Sequence, residues 1–129
     1  MQLQVIDANL AVCRLQPSDK IPWKVWDSRF LSITRTSEEL SIVCDEKCCP
    51  PIERTESGFA LIKIMGPLSF NLTGILNYII NPLAEADISV FTISTFDTDY
   101  VLIKKEKLSE ARNILSNLPD VEFVEYDNS

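Results

Sequence analysis

Apolar positions recur with a readable period in the second half of the chain and less regularly in the first. Residues 59–65, Phe-Ala-Leu-Ile-Lys-Ile-Met, form a run of strand length that stops at the turn dipeptide Gly66-Pro67. Leu72, Ile75, Leu76, Ile79, Ile80 and Leu83 then fall three and four apart, the spacing of one helical face. Asn71 or Ser69 can cap that helix, and Pro82 must kink or end it, because proline lacks one ladder donor and crowds the preceding turn. Two β-rich runs, 88–96 and 99–103, flank Asp97-Thr98 and predict a hairpin. Leu108, Ala111, Leu115 and Leu118 mark a second amphipathic helix, and residues 121–126 a last strand after Pro119-Asp120. The order β-α-β-β-α-β predicts an α+β fold of split ferredoxin-like topology, an antiparallel sheet with both helices on one face.

The segment before Gly58 reads as a degenerate copy of that unit. Strands are expected over 10–15, 30–35 and 40–44, a short turn or helix over 21–26, a Cys/Pro-rich loop over 45–52, and a last strand at 53–57. The predicted organisation is a first unit over 1–57 and a second over 58–129, sharing a sheet or packing directly.

Composition narrows the functions open to such a chain. At 129 residues, 46% hydrophobic and 24% charged, it is long and apolar enough to fold without staples. A formal charge of −7 leaves little means of building the basic surface that a nucleic acid requires. The absence of histidine removes imidazole bases, Ser-His and Cys-His nucleophile pairs and the commonest metal ligand. With no glycine-rich phosphate loop either, the chain is not read as an enzyme, and no cofactor is expected. Residues 1–7 lack the basic and apolar regions of a signal peptide, and no run approaches the roughly 18 apolar residues of a membrane span. A soluble cytoplasmic protein with reduced cysteines is therefore expected, with no membrane or nucleic-acid partner.

Four features carry candidate chemistry. Cys44, Cys48 and Cys49 offer three thiols within six residues, but a structural zinc site needs a fourth ligand and paired spacing, so ordinary loop and core cysteines are expected rather than a metal. Trp23 and Trp26, three apart beside Pro22, are expected to cover a core. The stretch from Gly66 to Gly74 joins a strand to a helix N-terminus, where free N–H groups and the helix dipole favour a carboxylate. Asp99 opens an otherwise apolar strand, where a cationic amine would satisfy it, whereas Asp97 is an ordinary turn former. An anion cradle near an acidic group is the minimum equipment for recognising an amino-acid zwitterion.

The strings Gly66-Pro67-Leu68, Leu72-Thr73-Gly74-Ile75-Leu76, Pro82 through Phe91 and Ile93 through Leu102 resemble the ACT domain, specifically the branch of the CASTOR arginine sensors and small stand-alone tandem-ACT proteins. Ala11 through Leu15, Ser32 through Thr36 and Glu39 through Cys44 resemble the first unit of those small proteins. The resemblance implies a regulatory, amino-acid-binding sensor built as a homodimer, with ligand at the interface between ACT units. By position it implies Ser89 and Val90 from one unit, and Ser69, Asn71, Leu72, Gly74, Ile75, Thr95, Phe96, Thr98 and Asp99 from its neighbour. Leu72 stands where the sensors use an acidic residue toward arginine, so arginine itself is not implied. A possible downstream protein partner is left unidentified, and the competing reading is a ligand-free ACT dimerisation module. Dimerisation through the second units is expected because the hairpin has apolar residues on both faces, Ile88 and Val90 against Phe91 and Ile93, and Val101 and Ile103 against Tyr100 and Leu102.

Overall fold

The computed structural model describes residues 1–65 and 74–124. Among them the elements run β1 (Gln2–Leu15), β2 (Ser32–Arg35), β3 (Leu40–Asp45), β4 (Thr55–Met65), α1 (Ile75–Glu85), β5 (Phe91–Ser94), β6 (Asp99–Lys104), α2 (Lys105–Ser116) and β7 (Glu122–Phe123). Two 3₁₀ turns, Trp23–Asp27 and Glu46–Cys48, interrupt the strands of the first half. The protein is α+β, as its periodicities predict, and no helix among the described residues is long and apolar enough to cross a membrane. It forms two compact units, one from Met1–Asp7 and Ala60 onward, the other from Ala8–Phe59.

The larger unit has the ferredoxin-like arrangement. Its strands follow the order β1-β4-β6-β5, with Gln2 and Leu3 of β1 also pairing parallel to Glu122 and Phe123 of β7. The β5–β6 pair is antiparallel, Phe91 opposite Leu102 and Ser94 opposite Asp99. Alternation sends Leu3, Ile62, Ile64, Val101 and Ile103 into one core. Ile79 and Leu83 of α1 and Ala111 and Leu115 of α2 close it, so both helices cover the same face. Fully burying such a side chain stabilises the fold by roughly 1.5–3 kcal/mol.

In the smaller unit β3 is flanked by β1, with Leu10 to Leu15 opposite Asp45 to Leu40, and by β2, both antiparallel. No α-helix occurs between Ala8 and Phe59; the turn at Trp23–Asp27 contributes only Val25 to a core of Cys13, Leu40, Ile42 and Cys44. Trp23 and Trp26 do not cover that core: they are 76% and 61% exposed, because a 3₁₀ turn has three residues per repeat and puts both on the face away from Val25. Gly58 does not separate two strands either. It lies inside the continuous β4 with φ of 83°, and its N–H donates to the Glu46 carboxylate at 2.6 Å. Strand β1 begins at Gln2, well before the expected Leu10.

Candidate ligand-binding site

Helix α1 opens at Gly74, whose φ of 104° lies in the left-handed region that favours glycine. The Gly74 carbonyl accepts from Tyr78 N–H at 2.7 Å, closing the first turn. Gly74 itself has no side chain to cap this end, where the first-turn N–H groups lie along the helix axis. Gly74 and Ile75 line a cleft of about 420 Å³ together with Met1, Tyr78, Pro119 and Asp120. Tyr78 Oη donates to the Pro119 carbonyl at 2.8 Å, the Met1 nitrogen donates to the Asp120 carbonyl, and Asp120 itself has φ of 65°. The walls are thus mostly apolar, with donors at the helix end.

The β5–β6 turn is latched by threonines. Thr95 N–H donates to the Thr98 carbonyl at 2.8 Å, Thr95 Oγ1 donates to the same carbonyl at 3.0 Å, and Thr98 N–H donates to Thr95 Oγ1 at 3.2 Å. This fixes the turn and leaves Phe96 fully exposed and Asp97 exposed, while Asp99 is half-buried at the first position of β6. Ser89 and Val90 lie at the opposite end of β5, Ser89 exposed and Val90 packed against the larger unit's core. A strand rises about 3.3 Å per residue, so Val90 and Thr95 stand about 16 Å apart.

The structure therefore groups Gly74 with Ile75, and Thr95 with Phe96, Thr98 and Asp99, but does not bring Ser89 and Val90 beside Thr95 within one copy. Ser69, Asn71 and Leu72 lie outside the described residues. Tyr78, Pro119, Asp120 and Met1 were not foreseen at the helix end. Tyr78, four residues after Gly74, and the Pro119-Asp120 turn were the available signals.

The thiols form a second cluster, in the smaller unit. Cys13 and Cys44 are buried and have their pKa pushed up to about 12, first by burial and then by neighbouring Cys49. Among the described residues no group of three or more Cys, Asp or Glu is arranged to hold a metal ion.

Comparison with known proteins gives this geometry a context. A family model described as an ACT domain matches residues 54–117, and a model of another family's N-terminal domain matches residues 8–51. The human protein CASTOR3P is 32% identical over 102 residues, which cover 69% of this chain and 63% of that protein. The human cytosolic arginine sensor for mTORC1 subunit 1 is 30% identical over 104 residues, covering 72% of this chain but only 32% of the sensor. The chain thus matches less than two thirds of the length of either relative. In the crystal structure of Agobacterium tumefaciens protein Atu0741, 33% identical, the match covers 98% of this chain and 94% of that one with a TM-score of 0.90.

Proposed function

We propose, because this chain belongs to the ACT-domain family, that it is a regulatory protein that binds an amino acid where two ACT units of a homodimer meet. In this reading the compact units built on Ala8–Phe59 and on Met1–Asp7 with Ala60 onward are the two ACT-like units, close to the expected 1–57 and 58–129, and the protein works in the cytoplasm, as the name of the arginine-sensor relatives suggests. The observation that carries the shared site is the separation along β5. One small zwitterion cannot span about 16 Å, so Ser89 and Val90 serve the ligand of a neighbouring copy, while Ser69, Asn71, Leu72, Gly74, Ile75, Thr95, Phe96, Thr98 and Asp99 serve their own. The N–H groups at Gly74 hold the carboxylate, and Asp99 holds the ammonium. Strand β5 supports the dimer, since it ends the strand order with Phe91 and Ile93 only half-buried.

The test is isothermal titration and thermal melting of the full chain against the twenty amino acids. One or a few should raise the melting temperature, and Asp99→Asn should keep the fold and lose affinity about 10- to 100-fold, the equivalent of a charge-assisted hydrogen bond of roughly 1.5–3 kcal/mol. Asp97→Asn, an exposed turn change, should bind like the parent. Uniform absence of heat and of stabilisation would overturn the reading in favour of a ligand-free dimerisation module.

A further inference from the structure

The 3₁₀ turn at Trp23–Asp27 holds both tryptophans of the chain on the surface of the smaller unit. We propose that this turn is a docking surface for an acidic, extended segment of another protein. Three independent features meet there. The first is apolar area: a tryptophan side chain carries on the order of 200 Å², and two of them lie mostly open on one face of a turn whose other face is anchored by fully buried Val25. The second is rigidity. Val25 N–H donates to the Pro22 carbonyl at 3.2 Å and Ser28 N–H to the Val25 carbonyl at 3.0 Å. Ser28 Oγ accepts from Asp45 N–H at 2.7 Å and donates to the Phe30 carbonyl at 2.6 Å, while Arg29 N–H donates to the Asp45 carboxylate at 2.9 Å. The indoles are therefore presented on a clamped frame, which lowers the ordering cost of binding.

Charge is the third feature, and it selects the occupant. In a chain of net charge −7, the segment 20–35 carries four cations, Lys20, Lys24, Arg29 and Arg35, against Asp27, while the nearby carboxylates of Asp19, Asp45 and Glu46 accept from the backbone N–H groups of Gln16, Arg29 and Gly58. Lys20, Lys24 and Arg29 are exposed, as is Lys47 on the neighbouring 3₁₀ turn. Spaced carboxylates on a partner can meet these cations while its apolar side chains lie across the indoles. A peptide fits better than a nucleic acid, because exposed Asp27 beside Trp26 and the chain's overall charge repel a continuous phosphate backbone. It also fits better than a membrane, because a five-residue turn offers no amphipathic helix and the same charge repels an anionic leaflet.

Since Trp23 and Trp26 are the two tryptophans of this 129-residue chain, its indole emission reports on this surface alone. The probe is a synthetic peptide of about twelve residues repeating Glu-Pro-Leu, chosen to combine an extended backbone with carboxylates and apolar side chains. Titration should shift the emission to the blue and lower acrylamide quenching about twofold or more, weakening as salt is raised. Measured by anisotropy of labelled peptide, Trp23→Ala and Trp26→Ala should each weaken binding about tenfold. Lys24→Glu should weaken it comparably without touching either indole, and the circular dichroism of all three should match the parent. No protection by the peptide overturns the proposal. So does equal protection by oligothymidylate or by phosphatidylserine vesicles, or protection that grows with protein concentration alone, which would make the occupant a second copy.

Discussion

Alkaline pH should unfold this protein through two particular thiols. Cys13 on β1 and Cys44 on β3 lie on one face of an antiparallel pair, since Ala11 is opposite Cys44 and Cys13 opposite Ile42, which makes them diagonal neighbours. They are 1% and 0% exposed. Burial, reinforced by Cys49, holds their pKa near 12 against an ordinary 9.0. A pKa raised by folding means that the native state keeps a proton the unfolded chain releases. The contribution is complete below pH 9 and is lost progressively as pH climbs from about 9 toward 12. At pH 10, one unit above the unfolded value, each thiol costs between about 1 and 2 kcal/mol. The two together remove about 3 kcal/mol, a large share of the roughly 5–15 kcal/mol that holds a domain folded. Urea unfolding at pH 8 and pH 10 would be compared for the parent, Cys13→Ala, Cys44→Ala and the double variant. Alkaline pH acts on the rest of the chain in the same way in all four, so the informative quantity is the difference in the pH-dependent loss. The parent should lose about 3 kcal/mol more than the double variant, with each single variant midway. Equal losses in parent and double variant would refute the assignment.

Two further substitutions probe the elements that frame the site. A Cβ at Gly74 meets no atom of the described residues within 4 Å, and φ of 104° strains any residue but glycine, so Gly74→Ala should lose about 1–2 kcal/mol in thermal or urea unfolding; an unchanged midpoint would show that α1 can start differently. Ile79→Ala opens a cavity where α1 meets the sheet and should cost about 2–5 kcal/mol by urea denaturation with an unchanged m-value, whereas a cost below about 1 kcal/mol would mean that the core collapses around the gap.

Elements that bury one stripe against a sheet were legible before any coordinates. Ile75, Ile79 and Leu83 on α1, Ala111 and Leu115 on α2, and Val101 and Ile103 on β6 all enter the expected core, because each repeats with its element's period. The first stretch of β1 escaped for the opposite reason. Gln4 occupies a position only 1% exposed, with its Nε2 unpartnered among the described residues; Asp7 and Asn9 alternate with Ile6, Ala8 and Leu10 but are residue types depleted in strands. The tryptophans mislead because i, i+3 spacing is also that of a core stripe on an α-helix. In a 3₁₀ turn that spacing gathers both rings on one side, and the smaller Val25 takes the buried place.

Candidate site residues are readable where they break a local rule. By sequence Gly74 reads as a first-turn glycine, about 1 kcal/mol worse than Ala inside a helix, whereas it stands at the N-cap with φ of 104°, where glycine is favoured; Asp99 opens an apolar strand. Tyr78, Pro119 and Asp120 break no such rule and meet at the helix end only through tertiary packing. The same logic governs the distance between Val90 and Thr95. Five residues in a helix would advance about 7.5 Å, close enough for one amino acid to touch both ends. In the extended β5 they advance about 16 Å, so the amino-acid reading stands only with a second unit supplying the missing half, and a strictly monomeric protein that binds an amino acid through both sets of residues would contradict it.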